Sequence, residues 1–276
     1  MYALNILKEA FVEWWNAEPL SAGAAAAYYA VFSIPSALIL VITLAGIFLN
    51  PNVVQVTVVA HIKTIIGTQA ATLMNATLDQ LRIAKGGYLG LISIFAIVFA
   101  SIGVFSQLQS TLNKMWKVEN IRLSGMWHVA EQQLLALLIV ILLGSLLTVS
   151  FVIGIFWAIA GAHIVARYPT NGWILSFVSE AQFWIIVCGS FYILYTYLPS
   201  VRVFRRAALV GSIVGTLLFG IGRYLITLYL TYGSSATTYG TASALVIIML
   251  WAYYSSQMFF FGAAVTSVID QRLRKA

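Results

Sequence analysis

The sequence predicts an all-α, polytopic membrane protein of six transmembrane helices plus amphipathic interfacial helices, with both termini on the cytoplasmic side. Three observations predict it. Charged residues make up only 8% of the 276 residues and apolar ones 61%, against about 25% and 45–50% in ordinary globular chains. The apolar residues gather in six continuous runs rather than in the alternating pattern of a membrane barrel. The cations are shared unequally between the segments that join those runs. So few charges leave too little polar surface for water, and lipid is the solvent that fits.

The chain opens on an amphipathic stretch, 1–19. Leu4, Leu7, Phe11, Trp14 and Trp15 share one helical face, and Asn5, Glu9, Glu13 and Asn16 share another. That is the pattern of a helix lying in the headgroup layer. Its charges, at Lys8, Glu9, Glu13 and Glu18, are too evenly spaced for a cleaved leader, so the first span is expected to be retained.

A bilayer core about 30 Å thick needs about 20 apolar residues in helix. The first such run is Ala22–Leu49. Pro35, near its middle, removes a backbone hydrogen bond and is expected to kink it, with Ser33 and Ser36 placed to satisfy the freed carbonyls. The kink serves either packing or a gating hinge. Residues 51–85 carry Val54, Val58, Ile62 and Ile65 at helical spacing, punctuated by Lys63, Asp79 and Arg82. They are expected to form one or two external amphipathic helices. The remaining spans are Gly87–Leu108, Gln133–Ala162, Trp173–Leu198, Ala207–Tyr232 and Thr241–Ile269. Nothing resembles a linker, so 1–276 is expected to be one membrane domain.

Charge placement sets the orientation. With the amino terminus inside, the inner segments hold ten cations: Lys8, Lys114, Lys117, Arg122, Arg202, Arg205, Arg206, Arg272, Arg274 and Lys275. The outer segments hold four, Lys63, Arg82, Lys85 and Arg167. This excess on one side predicts cytoplasmic termini.

Polar groups within the spans need an explanation, because ionisable side chains are costly in lipid. Glu180 lies about 10 Å inside the outer end of the fourth span, and Arg223 about 14 Å inside that of the fifth. The two spans are joined by a short loop and run antiparallel, so a Glu180–Arg223 contact is expected. It is either a pair that fixes the fold or a substrate or proton site. Nearer the cytoplasm, Ser106, Gln109 and Asn113 share a face of the second span. The fourth span offers Tyr192, Tyr195 and Thr196, and the sixth Tyr253, Tyr254 and Gln257. These groups are expected to line a polar cavity open to the cytoplasm and closed near Glu180 and Arg223. Gly211 and Gly215, four apart, predict a close helix contact.

Enzyme constellations are scarce. Cys188 is a lone thiol in an apolar run, suited to filling space. His61, His128 and His163 fall on different segments and are not expected to share a metal. No phosphate-binding loop or nucleophile elbow is present. No catalytic residue, metal or cofactor is therefore expected. The basic inner loops satisfy orientation, and no nucleic-acid partner is expected.

The chain also resembles the YihY / virulence factor BrkB family of bacterial inner-membrane proteins, sometimes labelled ribonuclease BN-like. Ala27-Tyr28-Tyr29-Ala30-Val31-Phe32-Ser33-Ile34-Pro35 is similar to its tyrosine-pair and proline stretch, and Leu112-Asn113-Lys114-Met115-Trp116 to its Asn-x-x-Trp segment. Pro199, Arg206 and Gly211 match its loop before the fifth span. Arg223, Ile226 and Tyr229 occupy the places of its Lys-x-x-Phe-x-x-Tyr pattern. Tyr239-Gly240, Leu250-Trp251-Ala252-Tyr253 and Gly262-Ala263 follow in order. One departure is Ala264, where the family usually carries Glu. If that acid normally partners the cation of the fifth span, Glu180 takes its place here.

The resemblance implies a six-helix membrane fold in the bacterial inner membrane and no defined chemistry. The expected function is transporter-like movement of a small molecule, lipid or ion, with membrane lipids as surroundings. Glu180 and Arg223 would be its outer gate, with Ser33, Pro35, Ser106, Gln109, Asn113, Tyr195, Tyr229, Tyr254 and Gln257 along the path. A non-transporting envelope or lipid-binding scaffold is the alternative. A ribonuclease is the weakest reading, because metal-dependent RNA cleavage needs clustered ligands that the sequence lacks.

Overall fold

The structure, a computed structural model, describes residues 2–31, 103–118, 172–232 and 243–275, with single positions within 52–79 and 138–154. Regular structure among the described residues is entirely helical. The helices are α1 (Tyr2–Asn16), α2 (19–31), α3 (103–115), α4 (Gly172–Tyr197), α5 (Arg205–Tyr232) and α6 (Ser243–Lys275).

Among the described residues, two helices are long and apolar enough to cross a membrane: Arg205–Ile226 within α5 and Leu245–Lys275 within α6. The exposed face of α5 supports that reading. Leu209, Ile213, Leu217, Ile221 and Leu225 recur every four residues, each 46–60% exposed. A stripe this apolar suits acyl chains, whereas water would select polar residues there.

The lower half of α6 is the centre of the bundle. From Phe259 to Val268 all but Phe261 are buried, and Phe260, Ala263, Ala264, Thr266 and Ser267 are wholly enclosed. Small residues allow this. Gly211 of α5 faces Gly262 and Thr266 of α6, and a Cβ on Gly211 would lie 2.7 Å from the Gly262 carbonyl oxygen. The contact expected at Gly211 and Gly215 is therefore a close α5–α6 crossing, and dispersion between the two backbones holds it. Higher up, Gly222 makes room for the Tyr254 ring, whose hydroxyl donates to the Leu218 carbonyl at 3.1 Å.

Aromatic side chains fill the space between α4, α5 and α6. Phe183, Phe219, Phe191, Phe259 and Tyr195 form a ladder with successive ring centroids 6.4, 6.1, 5.5 and 5.1 Å apart. These are spacings at which tilted and edge-on rings attract one another.

At one end of the bundle the first and last helices meet, since α1 packs along the last turns of α6. Ala17 and Glu18 link α1 to α2, Glu18 with φ of 55°; Pro19 then opens α2, where its fixed φ suits a first helical turn. The end of α3 is closed by a left-handed Lys117, φ 53°. The Lys117 amide donates to the Lys114 carbonyl and the Val118 amide to the Asn113 carbonyl, both at 3.0 Å. This paired cap satisfies carbonyls that the helix would otherwise leave open. It also fixes the direction in which Asn113 and Trp116 point.

The sixth helix runs six residues beyond the expected Ile269, to Lys275. Arg272, Arg274 and Lys275 in its last turn suit the negative end of the helix dipole. In the 51–85 segment, Gln55 donates to Asn75 at 3.0 Å and to Asp79 at 2.8 Å.

Candidate functional site

Three places bear on function. The first is the expected ion pair. Arg223 of α5 donates from Nη1 to Glu180 Oε1 of α4 at 3.0 Å, with the two side chains 27% and 51% exposed. Its guanidinium carbon also lies 4.7 Å from the centroid of the Phe183 ring, one turn along α4 from Glu180. Carboxylate and ring thus hold the cation from one helix. Arg223 follows Leu217 by six residues, which turns it about 120° from the apolar stripe of α5. The charge is directed towards α4 and the bundle rather than straight into the lipid face.

Proximity to the sixth helix does not explain the pair. Gly222 sits level with Tyr254, whereas Gly211 sits level with Gly262 and Thr266. Position 264 is therefore about 15 Å along α6 from the level of Arg223. An acid there could not reach this cation. The compensation argument built on Ala264 fails on geometry, although the Glu180–Arg223 contact itself is present.

The second place holds the remaining polar residues of the expected path, and these are spread over separate tasks. Gln109 donates to the Leu198 carbonyl at 3.1 Å. Asn113 donates to Ser200 Oγ and accepts from the Ser200 amide, both at 2.9 Å. Both side chains thereby anchor the α4–α5 loop to α3. Tyr195 is completely buried and donates to the Phe259 carbonyl at 2.7 Å. Gln257 donates to the Pro19 carbonyl at 2.9 Å, fixing the start of α2. Ser106 is exposed. Tyr229 lies on α5, with its side chain outside the described residues, as are Ser33 and Pro35 altogether. Among the described residues of the expected set, only Glu180 and Arg223 are brought into direct contact by these bonds. Gln109, Asn113, Tyr195, Tyr254 and Gln257 brace loops and helix crossings instead.

The third place was not legible as a site. At the end where α1 meets α6, Asp270 is wholly buried. Its carboxylate accepts from the Phe204 amide at 2.8 Å, the Trp116 indole at 3.1 Å and Arg274 Nε at 2.9 Å. Arg274 in turn donates to the Arg202 carbonyl. Ser267 Oγ donates to the Met115 carbonyl at 2.9 Å. One carboxylate therefore joins α3, the α4–α5 loop and α6. The available signal was its position just past the last apolar run and four residues before Arg274.

Ion pairs surround this junction. Lys114 meets Glu18 at 2.7 Å, Lys117 meets Glu13 at 2.6 Å and Arg272 meets Glu9 at 2.7 Å. The hydrogen bond from Lys114, aided by its charge, holds the Glu18 carboxyl below its ordinary value of 4.5, against a small opposing effect of burial. Between α1 and α6 lies a cavity of about 400 Å³ lined by Lys8, Glu9, Glu13, Lys117, Arg272 and Lys275 among others.

Comparison with known proteins agrees with a membrane architecture. Residues 10–276 match the family model described as virulence factor BrkB. A UPF0761 membrane protein of Pseudoalteromonas atlantica is 29% identical over 189 residues, covering 68% of this chain and 60% of the relative. One from Psychromonas ingrahamii is 28% identical over 192 residues, covering 69% and 61%. One from Yersinia pestis is 26% identical over 191 residues, covering 68% and 62%. The matched region thus spans about 60% of the length of these relatives. No solved structure matches the chain. A match over nearly all of the sequence, joined to helices with apolar outer faces, places this chain in the virulence factor BrkB family of membrane proteins.

Proposed function

We propose that this protein is a six-span carrier of the bacterial inner membrane, with both termini cytoplasmic, that moves a small molecule, lipid or ion past Glu180 and Arg223. The observation that carries the reading is the ion pair itself. It sits about 14 Å inside the far end of α5, bonded at 3.0 Å, with the carboxylate about half exposed. A charge pair at that depth is retained where it faces a polar path or a partner, because lipid penalises it otherwise. The meeting of α1 with the end of α6, and the gathering of cations there, support the placement of both termini on one side. The buried Tyr195, Leu198, Phe259 and Phe260 fill the bundle towards that basic end, so the carrier reading rests on the ion pair and not on the cavity expected to open to the cytoplasm.

Reconstituted vesicles test this. Protein-dependent flux of protons or small organic anions, lost in Arg223→Ala and kept in a Gly189→Ala control whose added Cβ meets nothing within 4 Å, is the expected result. Absence of any protein-dependent flux across such a panel defeats the carrier reading.

The solid packing at the basic end favours a second reading, a non-transporting envelope or lipid-binding scaffold. On either reading the protein is not an enzyme. Metal-dependent cleavage of RNA by the purified protein would overturn that.

A further inference from the structure

We propose that the cleft between α1 and α6 binds the phosphate of an anionic phospholipid headgroup from the adjoining leaflet.

The inference starts from the face that α1 leaves open. Leu4, Leu7, Phe11 and Trp15 are 74%, 43%, 53% and 57% exposed. In a membrane protein such a face rests in the boundary between headgroups and acyl chains. Whatever lines the adjoining side of α1 therefore meets headgroups.

That side is the cleft. Its ionisable lining comprises the cations Lys8, Lys117, Arg272 and Lys275 and the carboxylates Glu9 and Glu13. Four positive and two negative charges leave a surplus of two. Arg272 and Lys117 are neutralised by Glu9 and Glu13. Those pairs also fix the walls, since each joins α1 to another helix. Lys8 and Lys275 have no carboxylate partner among the described residues, and they supply the surplus.

The volume, about 400 Å³, lies in the range of about 300–1,000 Å³ usual for small-ligand sites. Val12 and Val268 add apolar lining, which suits a glycerol backbone below a phosphate. Flexible ammonium groups bind phosphate as point charges, and a negative leaflet concentrates the ligand beside them. Nucleic acid could not approach a cleft held in the headgroup plane as a lipid does. The site is independent of the Glu180–Arg223 pair, so it stands whether or not the protein is a carrier.

The test uses the full chain purified in zwitterionic detergent and titrated with short-chain phosphatidylglycerol, with phosphatidylcholine and inorganic phosphate as comparisons. Bound lipid is counted by native mass spectrometry. The informative variant is Lys8→Gln with Lys275→Gln, which leaves both wall-forming ion pairs intact. The expected result is a loss of phosphatidylglycerol affinity on the order of tenfold, with phosphatidylcholine retention and the thermal midpoint unchanged. A second variant, Arg205→Gln with Arg206→Gln, removes two cations outside the cleft and should leave phosphatidylglycerol binding as it was. Equal losses from both variants would mean a diffuse basic surface and no site. Unchanged binding in the first variant, or inorganic phosphate competing as well as the lipid, overturns the proposal.

Discussion

The indole N–H of Trp116 donates to the carboxylate of Asp270 at 3.1 Å, across 154 residues of sequence. The bond closes one end of the bundle. Trp116 follows directly on α3, turned inward by the left-handed Lys117 behind it. Asp270 is fixed from three sides by the Phe204 amide, the indole and Arg274. A buried carboxylate with its acceptors filled is tolerated; a buried set of donors without it is not.

Replacing Asp270 by Ala therefore leaves an amide, an indole and a guanidinium without their shared acceptor. The expected loss of stability is about 3–5 kcal/mol. Asp270→Asn keeps the size but turns one donor group towards other donors, at a cost of about 1–3 kcal/mol. Thermal unfolding in detergent, followed by size exclusion, should rank wild type above Asn and Asn above Ala. Equal midpoints for all three would show that the junction does not hold the end of the bundle together.

The pair at Glu180 and Arg223 calls for a double-mutant cycle. Glu180→Gln and Arg223→Met should each destabilise, and the double variant should cost less than the sum, by about 1 kcal/mol. Exchanging the two charges should restore part of the loss and not all of it, since the carboxylate would then lie where the Phe183 ring favours a cation. Strict additivity would show that the two side chains touch without energetic coupling.

The close crossing of α5 and α6 predicts a sharp contrast between two glycines. A Cβ at Gly211 would lie 2.7 Å from the Gly262 carbonyl oxygen and collide with the Thr266 hydroxyl. Backbone cannot yield as a flexible side chain does, so Gly211→Ala should destabilise by about 1–3 kcal/mol. Gly189, on α4, has nothing within 4 Å of such a Cβ. Gly189→Ala should be neutral or stabilise by about 0.5–1 kcal/mol through helix propensity. Unfolding midpoints in detergent that fail to separate the two variants would remove the close crossing as a source of stability.

Much of the fold was legible because lipid makes composition decisive. Long apolar runs have few alternatives, and an antiparallel arrangement of α4 and α5 was enough to bring Glu180 and Arg223 together. The path residues were a different matter. Gln109, Asn113, Tyr195 and Gln257 share helical faces, and periodicity cannot tell a wet cavity from a carbonyl in need of a donor. The backbone acceptors that took three of them, at Leu198, Phe259 and Pro19, have no sequence signature. Asp270 was hidden for a related reason. A carboxylate just beyond an apolar run resembles a solvated helix end until another helix is seen to cover it.

The Lys114–Glu18 pair gives the one pH-dependent expectation outside the spans. Glu18 ends the link between α1 and α2, and Lys114 lies in the last turn of α3, 2.7 Å away. The hydrogen bond and charge of Lys114 lower the Glu18 carboxyl below 4.5 in the folded chain. A lowered acid stabilises the fold at pH above its unfolded value. That contribution is lost as the pH falls through the lower, folded value. Both side chains are more than half exposed, so solvent and salt screen the effect. Carbon-13 NMR of the labelled Glu18 carboxyl should find it titrating below its ordinary value, and Lys114→Met should return it there. The same shift in the Lys114→Met variant would place its cause elsewhere on the basic end.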